Sequence, residues 1–532
     1  MKRTLLTLLT IFLFLQTGFG FTLPNDSNSV NSGKKNKPKF TTTIVCLPLY
    51  SFADVNKDDE LDEQEIDKLV QDYLKNVSHY DLKTIASVLH YYSKIKLDTE
   101  MPFSYQSIMY QALVDSLKHS MGPNYARQVF ERKLDKFISV GGQLTSVVQY
   151  RSKLPNSLYT GPVSISNGAS KQILSMATFN MLFNFWENSD LMIAPEIQTG
   201  AGLGDGAGMG AYPNAMFAWP QSDPYFLRAH YRHHFLAKDT TKKFKEYNFT
   251  VGRYILQEMF DGNPYSGDPR RDFLNFNHTM LGAWDAATTA YGYTHGFASS
   301  FIFENCGINF SVNTVDKSAG GNETDWNIKK GHSVNLQFAQ NFKLFGKTGK
   351  IRLLGFYNAY NGGSFQSYYV NIVNSTNKNA TFKPQNYVTK FGGGVDVSYD
   401  LNDRSGLFLR YSLDDGKNED FGYTQCDGSV NVGGLFDMNL LHRPFDRFGI
   451  CFSSNSLSQA QQNYLRDGGT GFMVGEGKLT YAPETVFETF YSFNFFHHFY
   501  ITLDYQFSTN VGYNVDKGDA HFFALRFNAD LK

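Results

Sequence analysis

A transmembrane barrel of about 16 antiparallel β-strands, preceded by a small α-helical domain with an EF-hand-like loop, is the fold the sequence predicts. Three observations point there. The 532-residue chain is rich in Phe (48), Tyr (32) and Gly (46) yet only 42% hydrophobic, with a mean hydropathy of −0.34. Beyond the N-terminus it has no run of about 20 apolar residues, the length a transmembrane helix needs. From about residue 138 the hydrophobic period changes from helical to strict alternation. A strand between lipid and water is apolar only at every second residue, which produces this composition, although a soluble all-β protein can share it. The formal charge of −1, from 49 Lys and Arg against 50 Asp and Glu, argues against a nucleic-acid binder. Cys46, Cys306, Cys426 and Cys451 are too few for a disulfide scaffold and too scattered for a zinc site.

Residues 1–20 have the layout of a secretory signal: Lys2 and Arg3, an apolar stretch from Leu5 to Leu15, then Gly18 and Gly20 near a plausible cleavage point. The other reading, a short buried helix, lacks any surrounding folded segment. Residues 21–40 read as a linker of Asn, Ser, Lys and Pro without apolar period.

Residues 41–136 form the predicted helical domain. From Asp54 the chain runs DVNKDDELDEQE, which places Asp54, Asn56, Asp58, Glu60 (through its carbonyl), Asp62 and Glu65 at the six ligand positions of a twelve-residue Ca2+ loop. The stretch resembles an EF-hand or the related dockerin loop. It departs at Asp59, where those loops have a glycine for the sharp turn. An acidic helix start, favoured by the helix dipole, is the alternative. Ile66, Leu69, Val70, Tyr73 and Leu74 follow at helical spacing, and further amphipathic segments span about 80–95, 105–119 and 124–137.

Residues 137–532 are the predicted barrel. Ile501, Leu503, Tyr505 and Phe507 alternate with Thr502, Asp504 and Gln506. Phe523, Leu525, Phe527, Ala529 and Leu531 alternate with Arg526, Asn528 and Asp530. Leu407, Leu409, Tyr411 and Leu413 flank Arg410 and Ser412, and Leu144, Val148 and Tyr150 are set against Thr145, Gln149 and Arg151. Charged and amide residues deep inside strands suit a wet lumen better than a soluble sandwich. The roughly 395 residues available, at about 25 per strand and loop, make on the order of 16 strands, enough to enclose a water-filled channel.

Several ordered blocks resemble the carbohydrate-selective porin family (OprB-type) of Gram-negative outer membranes: GQLTSVVQY from Gly142, PEIQTGAGLGDGAGMGAYPNAM from Pro195 and PYFLRAHYRHHF from Pro224. The most specific is TVGRYILQEMFDGNPYSGDPRRDFLNF from Thr250, running on to GAWDAATTAYGYTHG at Gly282. A nearly continuous series follows from Lys390 to Phe527. The resemblance implies a 16-stranded outer-membrane channel for mono- or oligosaccharides, with the N-terminal domain in the periplasm, and neither a nucleic-acid partner nor an enzymatic activity. The helical domain and the ending Asp530-Leu531-Lys532, where such barrels close on an aromatic, depart from the pattern. An envelope partner is a natural expectation for that domain. A general or export-type channel, and a secreted carbohydrate-binding or structural protein, are the competing readings.

A sugar needs hydrogen-bonding partners for its hydroxyls and aromatic surface for its C–H faces. The candidate constriction residues are Glu196, Arg228, Arg232, Arg253, Arg410, Asp504 and Arg526, each of which can instead be a lumen or loop charge without selective role. The Gly-rich stretch 200–210 is a natural inward-folding loop. Arg253 lies among apolar alternate residues, so it breaks the lipid face or lies near an interface. Trp186, Trp219 and Trp284 suit sugar stacking or an interfacial girdle. His233-His234 and His497-His498 are poor metal pairs, because strand neighbours point to opposite faces. Asp261, Asp268 and Asp272 sit in a turn-rich segment rather than as paired hydrolytic carboxylates. The Asn-x-Ser/Thr triplets follow from Asn- and Thr-rich loops and carry no prediction in a bacterial barrel.

Overall fold

The computed structural model describes residues 138–531, apart from 156–162, 185–187, 202–207, 217–222, 238–242, 375–385, 403, 423 and 496–497. The signal segment, the linker and the helical domain with its calcium-type loop lie outside the described residues, as do Trp186, Trp219 and His497.

The strands are β1 (Ile138–Arg151), β2 (Ser170–Phe183), β3 (Ser189–Gly200), β4 (Tyr225–Leu236), β5 (Phe244–Ile255), β6 (Tyr293–Phe303) and β7 (Cys306–Asn313). A short hairpin of β8 (Val315–Asp316) and β9 (Thr324–Asp325) stands apart. Then come β10 (His332–Leu344), β11 (Lys347–Gly362), β12 (Asn386–Asp400), β13 (Gly406–Asp414), β14 (Gly428–Met438), β15 (Arg443–Ser456), β16 (Glu484–Phe495), β17 (Phe499–Thr509) and β18 (Ala520–Leu531). Leaving out the β8–β9 hairpin, sixteen antiparallel strands form one closed barrel, each paired with its neighbours in chain order. Closure is made by β1 against β18, in a register that sets Thr145 opposite Asn528 and Tyr150 opposite Phe523. A closed sheet has no unpaired edge, which the interior of a bilayer demands.

Alternation sets the two faces. On β17 Leu503 is 54% exposed on the outside, whereas its neighbours Thr502 and Asp504 are buried on the inside. Leu407, Leu409, Tyr411 and Leu413 on β13 are likewise outward and exposed, with Phe408, Arg410 and Ser412 buried between them. Phe523 and Phe527 repeat the pattern on β18. An exposed apolar band of this extent is a lipid contact surface, which sets aside the soluble secreted reading. Among the described residues no helix is long and apolar enough to cross a membrane.

The two ends of the barrel differ. At one end the connections are short: Glu304 and Asn305 join β6 to β7, and Phe345 and Gly346 join β10 to β11. The latter two have φ of 48° and 75°, the paired left-handed conformation whose twist matches a two-residue hairpin. At the other end run the long connections, the longest being 256–292 between β5 and β6. Among the described residues three α-helices lie in these connections: α1 (Phe276–Thr279), α2 (Phe365–Asn374) and α3 (Gln459–Arg466). Ser458 caps α3 by accepting from the Gln461 amide. Tyr464 of α3 packs on Phe365 and Tyr368 of α2, each at 5.6 Å between ring centroids. The largest apolar core, with Leu256, Phe260, Trp284, Met473 and Tyr513, therefore lies inside the barrel, between its wall and its own loops. Outer-membrane barrels carry their short turns on the periplasmic side and their long loops outside.

Candidate pore constriction

The connection 256–292 enters the lumen and is fastened to the wall residue by residue. Its first bend is at Asp261, which adopts φ 59°. The Asp261 amide donates to Gln337 of β10 (2.7 Å), and its carboxylate accepts from the Leu281 amide (2.7 Å) and from Nε of Arg410 (3.1 Å). Arg410, wholly buried, also donates to Ser266 Oγ (2.6 Å) and the His278 carbonyl (2.9 Å), and its Nε lies 3.1 Å from Asp396. Asp396 in turn meets Arg352 and accepts from Asn263 (2.6 Å). Two buried cations and two buried carboxylates thus balance, and the planar fork of Arg410 reaches both sides of the bend.

Further along, the Leu274 and Asn275 amides donate to Glu488 of β16 at 2.5 and 3.1 Å. Asn277 bonds Asn431 and Asn455 from β14 and β15 (3.1 and 2.5 Å). His278 sits between Glu488 (2.6 Å) and Ser453 (3.0 Å). Farther on, the Trp284 indole donates to Asn335 (3.0 Å), and Asp285 accepts from the Phe421 and Gly422 amides. A loop inside a barrel must satisfy its own backbone groups, and the amide-rich inner faces of β10 and β13–β17 supply the partners. Gly282 is required at its position: a Cβ there would lie 1.9 Å from Asn277 Oδ1 and 2.4 Å from Ser429 Oγ.

Burial pushes the His278 imidazole down to about 3, against an ordinary value near 6.5. The folded barrel keeps this ring neutral where the unfolded chain takes up a proton. Its contribution to stability is complete above about pH 6.5 and is lost as the pH falls toward 3. A His278→Gln barrel is expected to show a shallower loss of urea resistance between about pH 7 and pH 4. Equal slopes for the two proteins would remove His278 as the source of acid sensitivity.

The turn at Asp268–Asp272 stretches from one side of the lumen to the other. Arg270 donates to Glu196 (2.9 Å) on β3 and to Thr178 Oγ1 (3.4 Å) on β2. Arg271 pairs with Asp530 of β18 and lies 5.0 Å from the Tyr500 ring. Asp272 pairs with Arg447 of β15 (3.0 Å), and Arg526 donates to the Pro269 carbonyl (2.5 Å). Beside this turn Tyr225 donates to Glu196, and its ring packs on Tyr291 at 4.3 Å. Arg228 pairs with Glu258 at the loop's start, and Glu258 retains 39% of its side-chain exposure. Arginines, carboxylates and tyrosine faces converge on one stretch of channel.

Five of the seven sequence candidates lie in or under this arrangement. Arg228 is part of it, and Glu196, 2% exposed, is buried behind Arg270 and Tyr225 and holds both. Arg410 and Arg526 are buried beneath the loop and anchor it, and Asp504 is buried on the wall beside Gln506 (3.3 Å), so none of the three offers surface to a passing solute. The other two lie elsewhere. Arg232 faces inward near the short-turn end, paired with Asp190 (3.1 Å). Arg253 stands on the outward parity: it lies opposite His295, donates to it (3.0 Å) and to the Phe226 carbonyl (2.9 Å), and stacks 4.1 Å over Tyr293. Its place is the interfacial rim and not the lumen, because the two-residue period that turns Val251 to lipid carries Arg253 to the same face. Trp284 belongs neither to a girdle nor to a stacking surface, being buried in the core under the loops. His233 and His234 do point apart: the first packs among Tyr231, Phe235 and Phe249, the second bonds Glu246 (2.7 Å) inside. The Gly-rich stretch turns inward where it is described, the Gly210 amide meeting Glu484 (3.1 Å). The main lumen loop, however, is 256–292. Sequence reasoning passed over Tyr225 on β4, and with it the site residues of the long connection, Glu258, Arg270, Arg271 and Tyr291. The signal for the latter was the length of the connection, since a hairpin needs only a few residues and longer loops usually have a function.

A closed sixteen-stranded barrel with a lipid-facing outer band, short turns at one end and a long loop folded through its lumen defines an outer-membrane porin. The chain belongs to the family described as carbohydrate-selective porin, OprB family, whose model matches residues 240–531, more than half of its length. The high-pH structure of Pseudomonas putida OprB shares its fold at a TM-score of 0.57 and 14% identity, over 77% of this chain and 98% of that one. The outer membrane channel DcaP of Acinetobacter baumannii aligns at a TM-score of 0.42 and 10% identity, over 74% and 96% of the two chains. No curated protein sequence matches the chain. Family and barrel place it in a Gram-negative outer membrane, as a channel and not an enzyme.

Proposed function

We propose that this porin passes carbohydrates, mono- or oligosaccharides, and that Arg270, Arg271, Arg228 and Glu258 with Tyr225 and Tyr291 form the constriction that recognises them, the buried Glu196 carboxylate holding Arg270 and Tyr225 in place. The observation that carries the reading is the Arg270–Glu196–Tyr225–Tyr291 group, where charged donors and acceptors adjoin aromatic faces. A hexose presents equatorial hydroxyls at its edge and C–H groups on its faces, so one such group meets both at once. Transport involves no covalent step. The constriction replaces part of the hydration a sugar loses, and it must do so weakly enough to let the sugar leave. The family's description supports the same substrate class.

Residues 41–136 are proposed to be periplasmic, because β1 begins at the short-turn end of the barrel. Ca2+ binding by Asp54, Asn56, Asp58, Glu60, Asp62 and Glu65, and docking of this domain to an envelope component, are parts of the same proposal. The primary test is single-channel conductance of the refolded protein in a planar bilayer, titrated with glucose and then with longer oligosaccharides. Saturable, sugar-dependent block of a stable current is expected. A stable current indifferent to every sugar would leave a general or export-type channel and end the carbohydrate reading.

A further inference from the structure

The lipid-facing band has a gap on the outward face of β10–β12. Gly355 of β11 lies opposite Leu336 of β10 on one side and Gly393 of β12 on the other, and Gly393 lies opposite Leu413 of β13. Two adjacent strands thus lack a side chain at one level, between two exposed leucines. Tyr357 and Phe391, opposite each other, close the gap toward the long-loop end, and Leu353 and Val395 close it toward the short turns. The result is a recess of about 550 Å3, floored by Gly355 and lined by Val334, Leu336, Phe338, Leu353 and Tyr357. A Cβ on Gly355 would meet nothing nearer than the Gly392 carbonyl oxygen at 4.0 Å. The strand pairing runs through this level unbroken, so missing side chains open the recess and not a distorted sheet.

Toward the long-loop end the chemistry changes in steps. His332, outward at the start of β10, lies 6.0 Å from the Tyr357 ring. Tyr387 of β12 is exposed, and Lys330 Nζ stands 5.8 Å over its ring. Beside Lys330 in the 326–331 connection, Lys329, Ile328 and Trp326 are exposed, Trp326 to 68%. Among the described residues neither Lys329 nor Lys330 has a carboxylate partner. The two acidic residues nearest in the chain are engaged elsewhere: Asp325 accepts from the Asn327 amide (2.9 Å) and the Tyr387 hydroxyl (2.5 Å), and Glu323 pairs with Lys317 (2.9 Å). From water inward the order is ammonium, aromatic ring, apolar recess. A phosphorylated lipid has the matching order of phosphate, polar linkage and acyl chain. The recess floor at Gly355 is four residues from Ala359, which lies opposite His332 at the rim, or about 13 Å along the strand, within the span of one acyl chain.

We propose that this face binds one phosphorylated lipid of the outer leaflet, its phosphate held by Lys329 and Lys330 and one acyl chain lying in the recess over Gly355. The long-loop end of such a barrel faces the outer leaflet, and lysines at a membrane surface draw anionic lipid. A chain seated over the two glycines supplies the contacts that their missing side chains leave unmade. A second copy of the barrel is a poorer occupant. Two-fold pairing through this face sets Lys329 and Lys330 against their own counterparts, with Asp325 and Glu323 already engaged. The bound lipid fixes the 326–331 connection against the wall, where Trp326 also packs on His295 of β6 at 4.9 Å between ring centroids.

The test uses full-length protein refolded in detergent, titrated with diphosphorylated lipid A and weighed by native mass spectrometry, with the dephosphorylated lipid as control. The wild-type barrel is expected to retain the phosphorylated lipid and to release the control. Lys329→Gln with Lys330→Gln is expected to weaken retention by about tenfold to thirtyfold. Gly355→Leu fills the recess from a position where a side chain has room, and it is expected to abolish retention while leaving single-channel conductance in place. A wild-type barrel that retains no lipid overturns the proposal, as does equal retention of the dephosphorylated lipid or undiminished retention by either variant. Wild-type barrels that associate with one another and separate on Gly355→Leu overturn it too, because a second copy is then the occupant. Should Gly355→Leu fail to refold, the lysine variant, altered only on an exposed connection, decides: weakened retention supports the site and unchanged retention overturns it.

Discussion

Replacing Arg410 with methionine is expected to destabilise the barrel by about 3–5 kcal/mol, the usual cost of stranding a buried carboxylate by removing its partner. Arg410 holds Asp261 at the bend where the chain enters the lumen, and it also contacts Asp396, Ser266 and the His278 carbonyl. Methionine fills much of the volume and returns none of these bonds. Asp396 keeps Arg352 and Asn263, so Asp261 bears most of the loss. Urea unfolding in lipid, followed by the shift in gel migration between folded and heated protein, measures the effect. Lysine should recover only part of it, because a single ammonium cannot span the donors that the guanidinium fork serves. A loss below about 1 kcal/mol for methionine would mean that other contacts alone hold the loop.

Removing the Arg270 side chain is expected to weaken sugar block of the current by about tenfold to a hundredfold. One hydrogen bond from a charged donor to a hydroxyl contributes about 1.5–3 kcal/mol. Arg270→Ala should also raise the open-channel conductance, because a long side chain leaves the narrow stretch. Arg410→Lys serves as a contrast: it touches the loop's anchorage and not the channel surface, so its effect should appear in stability more than in sugar affinity. Unchanged block in Arg270→Ala channels of normal stability would move the recognition site away from the Glu196 side of the lumen.

The strands were legible because their signal is local. Tyr500 to Phe507 and His521 to Leu531 state inside and outside by alternation, and the structure turns those residues as the alternation requires. Even Arg253, a charge amid apolar alternate residues, obeys the pattern: its parity is outward and its chemistry is that of an interface. The lumen loop was legible only as a turn-rich segment. FDGNPYSGDPRRD reads as a set of turns, and it is one. Nothing local to it says that Arg270 meets Glu196 across the lumen, or that Asp272 meets Arg447 on the other side. Arg410 and Arg526 looked like channel charges because an inward polar residue on a barrel strand usually meets water. Here a loop covers them, and the same inward direction makes them anchors.

By itself the sequence determined the barrel, its strand number to a close approximation, and the sign of each face, since a period of two and a bilayer's demand for closed hydrogen bonding leave few alternatives. Its ordered blocks also pointed to the family. Only the tertiary structure decided which inward charges face the channel and which are sealed beneath the 256–292 loop, and it alone brought Lys390 together with Asp285 of that loop, Asp414 at the end of β13, and Asp420 and Asp427 of the 415–427 connection. Those pairings join residues far apart in the chain, and they exist only once the barrel has closed and its loops have folded inside it.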